Sequence, residues 1–310
     1  MAKINKIAVS SPSFCKNFLL VSELKEIFPH SVFNLEAKRL EQAELIDFLG
    51  DAEGWLVGSE PVTDEVLSAC SKIKIISKYG VGLDNIDFDA CRRRGVKVLF
   101  SKGVNAQSVA ELALGHILNL LHRSYVTSNL LKQGIWQKSG GVELYKKTIG
   151  IIGVGHVGQK LINLLQPFEC KILVNDLINQ ENYYQSMNLT PVSKEYLFKH
   201  SEIISLHVPL DHTTENMIGE KEFNWMQTSC VLINTSRGKI IDQTALKQAL
   251  LNKKISGAAL DVYDSEPCED LELLVIPNLI NTPHIGGNTQ EAVEAMGKAA
   301  MGHLVEFFKY

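Results

Sequence analysis

Gly153, Gly155 and Gly158 stand in IIGVGHVGQKL, where a short apolar run hands over to a helix-forming stretch. Ile149 to Ile152 read as a strand and His156 to Leu165 as a helix. The GxGxxG spacing therefore lies where a pyrophosphate can rest on a helix N-terminus, with glycines letting the backbone approach closely. Without those flanks the triplet would mark only a tight turn. Asp176 ends the next apolar run, CKILVND, 18 positions after Gly158, near the spacing of about 20 at which an acidic residue meets the adenosine ribose. A carboxylate there accepts hydrogen bonds from the ribose hydroxyls of NAD and repels the 2′-phosphate of NADP. Leu177, Ile178, Asn179 and Gln180 bring no cation to offset that repulsion. The plainer reading is an exposed turn aspartate, since Asp is common where strands end.

Three further polar residues follow three separate apolar runs: Arg237 after VLINTS, Glu266 shortly after GAALDVY, and His284 after LINTP. In open α/β sheets ligands bind beyond the carboxyl ends of the strands, so residues at such ends converge on one cleft although far apart in sequence. Pro267 and Pro283 flank the Glu and the His and stiffen their backbones. Singly, Arg237 and Glu266 read as solvated loop charges and His284 as a core imidazole. Their common placement reverses that.

Elements that place these residues recur along the chain. KIAVS, GWLVGS, IKIIS and KVLF are short Val- and Ile-rich runs between amphipathic stretches, the signature of parallel strands joined by helical crossovers. A helical stretch is expected from about Ala106 to Gln133, with Leu112, Leu114, Ile117, Leu118 and Leu121 on a buried face. A Gly-rich joint, SGGVELYKK, leads into a second series through CKILVND, SEIISLHVP, SCVLINTSRG, ISGAALDVY and NLINTPHIGG, the pattern of a doubly wound nucleotide-binding domain.

At 310 residues, with 45% hydrophobic and 21% charged residues, the chain is long enough for two globular domains. A net charge of -4, with acids and bases mixed, offers no basic stripe to nucleic acid and no polybasic segment to a membrane. The apolar run in MAKINKIAVSSPSF is too short for a signal-peptide core or a spanning helix, so the cytoplasm is the expected location. Cys15, Cys70, Cys91, Cys170, Cys230 and Cys268 form no CxxC pair; they read as reduced thiols rather than bridges or metal ligands.

GVGLDNID from Gly80, NAQSVAELALG from Asn105, GIIGVGHVG, LHVPL, NTSRG, ALDVYDSEP and TPHIGGNTQEA resemble, in this order, the motifs of the D-isomer-specific 2-hydroxyacid dehydrogenases. Similarity runs over nearly the whole chain and is best to the shorter D-3-phosphoglycerate dehydrogenase-like members. The resemblance implies two doubly wound parallel-sheet domains, a Rossmann dinucleotide-binding domain (106–283) inserted in a flavodoxin-like substrate domain (1–105 and 284–310). The helix from about Thr289 to Phe308 would return to the amino-terminal domain. It implies a homodimer through the dinucleotide domain, with the helix near Leu112 to Leu121 in the contact.

The same resemblance assigns roles. Arg237 would grip the substrate's carboxylate and carbonyl oxygen, a task suited to a guanidinium fork. His284 would donate the proton in reduction and accept it in oxidation, with Glu266 favouring the imidazolium and fixing the ring. The related formate dehydrogenases carry Gln where Glu266 stands, so Glu266 points to the hydroxy-acid branch. NAD would be met by the glycine motif (Gly153, Gly155, His156, Val157, Gly158), by Asp176, by His207, Val208, Pro209 and Thr214, by Thr235, Ser236 and Arg237, by Asp261, and by His284, Gly286 and Gly287. Substrate would meet Ser59, the backbone N–H groups of Val81 and Gly82, and Asn105, besides Arg237 and His284. Alone, GVG reads equally as a strand-to-helix turn. No metal is expected.

The chain departs from the phosphoglycerate pattern around VGSEPVTDEVL, where an Arg often meets the substrate phosphate and this chain has Val57, Gly58 and Ser59. Lys138 matches a Lys that reaches the phosphate from a neighbouring subunit in some of those enzymes, and reads equally as a surface lysine. Phosphoglycerate, glyoxylate, hydroxypyruvate and longer 2-oxo acids stay open as substrates. The rival class is an NAD-sensing binding protein, since corepressors of this superfamily keep the same Arg, Glu and His.

Overall fold

The computed structural model describes residues 5–138 and 140–309; the first four residues of the amino-terminal segment, Ser139 at the start of the Gly-rich joint, and Tyr310 lie outside the described residues. The chain divides into two compact units, one of Met1–Asn105 with Gly287–Tyr310 and one of Ala106–Gly286.

The first unit is built on β1 (Ile7–Val9), β2 (Val32–Phe33), β3 (Gly54–Val57), β4 (Ile75–Lys78) and β5 (Lys97–Leu99). They run parallel in the order β2-β1-β3-β4-β5. Every residue of β1, β3 and β4 is buried, as expected of parallel strands covered on both faces. On one face lies the helix Gln290–Phe308, whose Met296, Ala300, Met301 and Leu304 join Phe14, Leu20, Leu24 and Phe28 in one apolar cluster. Thr289 caps it by accepting from the Ala292 N–H at 3.3 Å. The Ser77 hydroxyl of β4 donates to the Ala300 carbonyl at 2.7 Å.

The second unit carries β6 (Thr148–Ile152), β7 (Lys171–Asn175), β8 (Thr190–Pro191), β9 (Ile203–Leu206), β10 (Val231–Asn234), β11 (Gly257–Leu260) and β12 (Leu279–Asn281). All are parallel in the order β12-β11-β10-β9-β6-β7-β8. The order reverses between β6 and β9, which opens a crevice at the carboxyl ends of those two strands. Both domains are thus doubly wound parallel sheets. Apolar clusters cover both faces, one around Leu232, Ile204 and Phe198 and the other around Ile151, Ile162 and Ile233.

Three details depart from the sequence reading. The helix expected over Ala106 to Gln133 is two helices, Ala106–His122 and Ser124–Lys132, broken at Arg123, which takes the left-handed conformation at φ 56°. The returning chain exploits the break, because the Leu121 carbonyl accepts from the Val142 N–H at 2.9 Å. β2 and β8 are two-residue strands that the sequence reading did not anticipate; Pro191 is tolerated because β8 is an edge. The later boundary between the units falls after Gly286 rather than Pro283. His284, Ile285 and Gly286 stay with the second unit because Asp261, at the end of β11, accepts from the Ile285 and Gly286 N–H groups at 2.8 Å each. Among the described residues no helix is long and apolar enough to cross a membrane.

Candidate active site

The glycine loop leaves β6 at Gly153, whose φ of +94° is closed to most side chains. A Cβ there would lie 2.6 Å from the His207 carbonyl group, and one on Gly158 would lie 2.2 Å from the Gly153 oxygen. A Cβ on Gly155 would meet nothing within 4 Å. Two glycines thus permit close packing of the loop, and the third keeps the face above it open at the N-terminus of the helix His156–Leu165. That is the arrangement a pyrophosphate needs, with first-turn N–H groups and the helix dipole directed at it. Asp176 follows β7 and ties this loop down: its carboxylate accepts from the Val154 N–H at 2.5 Å and from the Ile178 N–H at 2.8 Å. Gln159 and Gln180, neither of which the sequence marks as holding this loop, both donate to the Val154 carbonyl, at 3.2 and 2.9 Å. The residues present fit a dinucleotide.

Gly153→Ala is expected to cost on the order of 2–4 kcal/mol, from left-handed strain plus a backbone clash. It should also abolish NADH binding. Denaturant midpoints and a titration of NADH fluorescence check both; a stable variant that binds normally would remove the assigned role of this turn.

The β9 loop is engaged with itself. Thr214 accepts from the Asp211 N–H at 2.8 Å and donates to the Pro209 carbonyl at 2.7 Å. Burial pushes the His207 ring down to about 4, so it is neutral, and its Nε2 lies 2.9 Å from the Ser205 hydroxyl. After β10, the Asn234 amide oxygen receives the Ser236 N–H at 3.1 Å and its hydroxyl at 2.8 Å. The buried Thr235 hydroxyl has no hydrogen-bond partner among the described residues. Arg237 begins the next turn with Nη1 donating to the Ser236 carbonyl at 2.7 Å, which aligns the guanidinium with its own loop.

His284 and Glu266 come together as expected from their strand ends: Nδ1 lies 2.6 Å from the Glu266 carboxylate. The ring belongs to a residue at φ 53°, immediately after Pro283, so the backbone is held away from ordinary extended or helical geometry. The hydrogen bond to Glu266 raises the His284 pKa above that of a free imidazole, against the opposing effect of burial. Burial pushes the Glu266 carboxyl up, but the His284 hydrogen bond and charge, together with the Tyr263 N–H and the Arg237 charge, hold it below the usual range. Both shifts favour the ion pair. Asp261 is fully buried and secures the loop, accepting also from the Thr282 hydroxyl at 2.6 Å. His116, inside the helix Ala106–His122, meets that hydroxyl at 3.4 Å and was not singled out from sequence. The Glu266–Pro267 peptide is cis.

In the first unit, Ser59 is exposed just beyond β3, and Val81 and Gly82 lie on the loop beyond β4. The N–H groups of Ser59, Gly80, Val81 and Gly82 have no acceptor among the described residues. Asn105 presses on Gly287, where a Cβ would lie 2.8 Å from its amide nitrogen, and its buried amide oxygen has no partner among the described residues. Lys138 is exposed. The cysteines are free thiols, with Cys170 and Cys268 partly exposed. No group of His, Cys, Asp and Glu able to hold a metal ion occurs among the described residues.

A family model described as D-isomer specific 2-hydroxyacid dehydrogenase, NAD binding domain, matches residues 114–286. A glyoxylate reductase from Thermococcus litoralis is 37% identical over 260 residues, 81% of this chain and 78% of that protein. A D-3-phosphoglycerate dehydrogenase from Methanocaldococcus jannaschii is 37% identical over 265 residues, 84% of this chain and 51% of that one, so the chain spans about half its length. Among solved structures, D-lactate dehydrogenase from Aquifex aeolicus, complexed with NAD and lactic acid, superposes with a TM-score of 0.85 at 28% identity, covering 98% of this chain and 94% of the other. The glycine loop, the paired Glu and His, and these likenesses agree: the chain belongs to the D-isomer-specific 2-hydroxyacid dehydrogenases and carries their NAD-binding domain.

Proposed function

We propose that the chain reduces a small 2-oxo acid to its D-2-hydroxy acid, and catalyses the reverse oxidation, with NAD as cofactor. The observation that carries this reading is the 2.6 Å contact of His284 with Glu266, in a setting that stabilises the imidazolium. NADH, when bound, supplies a hydride. Arg237 holds the carboxylate and carbonyl oxygen of the substrate and draws charge toward that oxygen. His284, with Nδ1 engaged by Glu266, gives its Nε2 proton to the oxygen as it becomes an alkoxide. The N–H groups of Val81 and Gly82 hold the carboxylate, and Asn105 supports that side. Asp176 selects NAD over NADP by its charge beside the ribose hydroxyls.

Purified chain should oxidise NADH with at least one of glyoxylate, hydroxypyruvate, pyruvate and phosphohydroxypyruvate, and should use NADPH far less efficiently. NADH binding without turnover across that panel would replace this reading with the NAD-sensing one. Equal use of NADPH would refute the role of Asp176.

The same reading makes the chain a homodimer through its second unit. Tyr125, Leu131, Ile135 and Trp136 support it: they leave large apolar side chains exposed on and after the helix Ser124–Lys132, with Trp136 at 78%. Light scattering should give twice the chain mass, and Trp136→Glu should lower it; a monomeric parent rules this out.

A further inference from the structure

Lys78, at the end of β4, and Glu60, in the loop after β3, are charged side chains with only 6% and 4% exposure. Such groups are rarely buried unless they are engaged, and both act on the two peptides that flank Gly58. The Glu60 carboxylate accepts from the Gly58 N–H at 2.7 Å. The Lys78 ammonium donates to the Gly58 carbonyl and to the Asn85 amide oxygen, the latter at 3.1 Å. Asn85 completes the clamp, donating to the carbonyls of Gly58 at 3.3 Å and Glu60 at 2.6 Å. The ammonium thus draws the carbonyl of the Gly58–Ser59 peptide inward. That peptide is trans, so its N–H, which belongs to Ser59, points the opposite way, on the side where Ser59 is exposed and finds no acceptor among the described residues.

We propose that Lys78 is a positioning residue for substrate binding, fixing the Gly58–Ser59 peptide so that the Ser59 N–H donates to an oxygen of the bound 2-oxo acid. The proposal rests on the reductase reading above. It makes a buried cation serve the substrate at one remove, through a peptide dipole, where a surface Arg would act directly.

Steady-state kinetics on the whole chain test it. Lys78→Met combined with Glu60→Gln removes both buried charges at once, so neither is left stranded, and Ser59→Pro removes the N–H itself. Each is expected to raise KM for the oxo acid roughly 10- to 100-fold, the loss of one hydrogen bond to a charged group. kcat should be nearly unchanged, and NADH affinity should stay at the parent value. Combining all three substitutions should raise KM no further than the worse parent, because both routes remove one donor. A parental KM in either variant, or additive effects in the combination, overturns the role of Lys78 while the reductase reading stands. Should Lys78→Met with Glu60→Gln fail to fold, a parental KM in Ser59→Pro still overturns it. Absence of turnover by the parent chain with every oxo acid refutes both.

Discussion

His284→Asn is expected to slow 2-oxo acid reduction by about 10²- to 10⁴-fold, the usual loss when a general acid is removed, while NADH binds as before. Binding should survive because the glycine loop and Asp176 are held by hydrogen bonds that do not involve His284. The pH profile gives a second readout. Glu266 raises the His284 pKa, so the imidazolium persists above the ordinary imidazole range. Reduction consumes its proton and should therefore run at full rate below that raised pKa and decline as pH rises through it; oxidation should show the opposite trend. Glu266→Gln removes the main cause of the shift, which should move the decline in reduction toward lower pH. An unshifted profile in Glu266→Gln, or a near-parental rate in His284→Asn, would refute the proton-relay assignment.

For Arg237→Lys the expected loss in kcat/KM is roughly 100-fold, since one ammonium cannot make the two parallel charge-assisted hydrogen bonds of a guanidinium fork. Charge and geometry separate cleanly here. Arg237 lowers the His284 pKa through its charge, so Arg237→Lys should lose rate with its pH profile in place, whereas Arg237→Met should lose rate and shift the profile alkaline. Parental kcat/KM in the Lys variant would show that no fork is required.

The sequence exposed the nucleotide-binding half most clearly. The strand ending at Ile152 and the helix His156–Leu165 fall where the apolar run and glycine spacing place them, because a buried parallel strand and a helix N-terminus each leave a strong local pattern. Arg123 left none: a non-glycine residue turns left-handed there, and the partner of the freed Leu121 carbonyl is a distant segment, at Val142. β2 and β8 are too short to show a period of two. Glu266 and His284 were legible as strand-end residues, but the means of holding them was not. Asp261 looks in sequence like any strand-end acid, and only the fold shows its carboxylate gathering the Thr282 hydroxyl and the Ile285 and Gly286 N–H groups. The burial of Lys78 and Glu60 leaves no mark in the sequence for the same reason, since it is set by neighbours far away along the chain.

The interrupted first unit has a consequence for biosynthesis. Its apolar cluster of Phe14, Leu20, Leu24 and Phe28 is completed by Met296, Ala300 and Leu304, which leave the ribosome only after the whole of Ala106–Gly286. At about 5–20 residues per second that interval lasts on the order of 10–40 s. One face of the first sheet to be made is therefore the last to be closed, and the nascent chain carries that greasy face incompletely covered through the period when the inserted unit is being made.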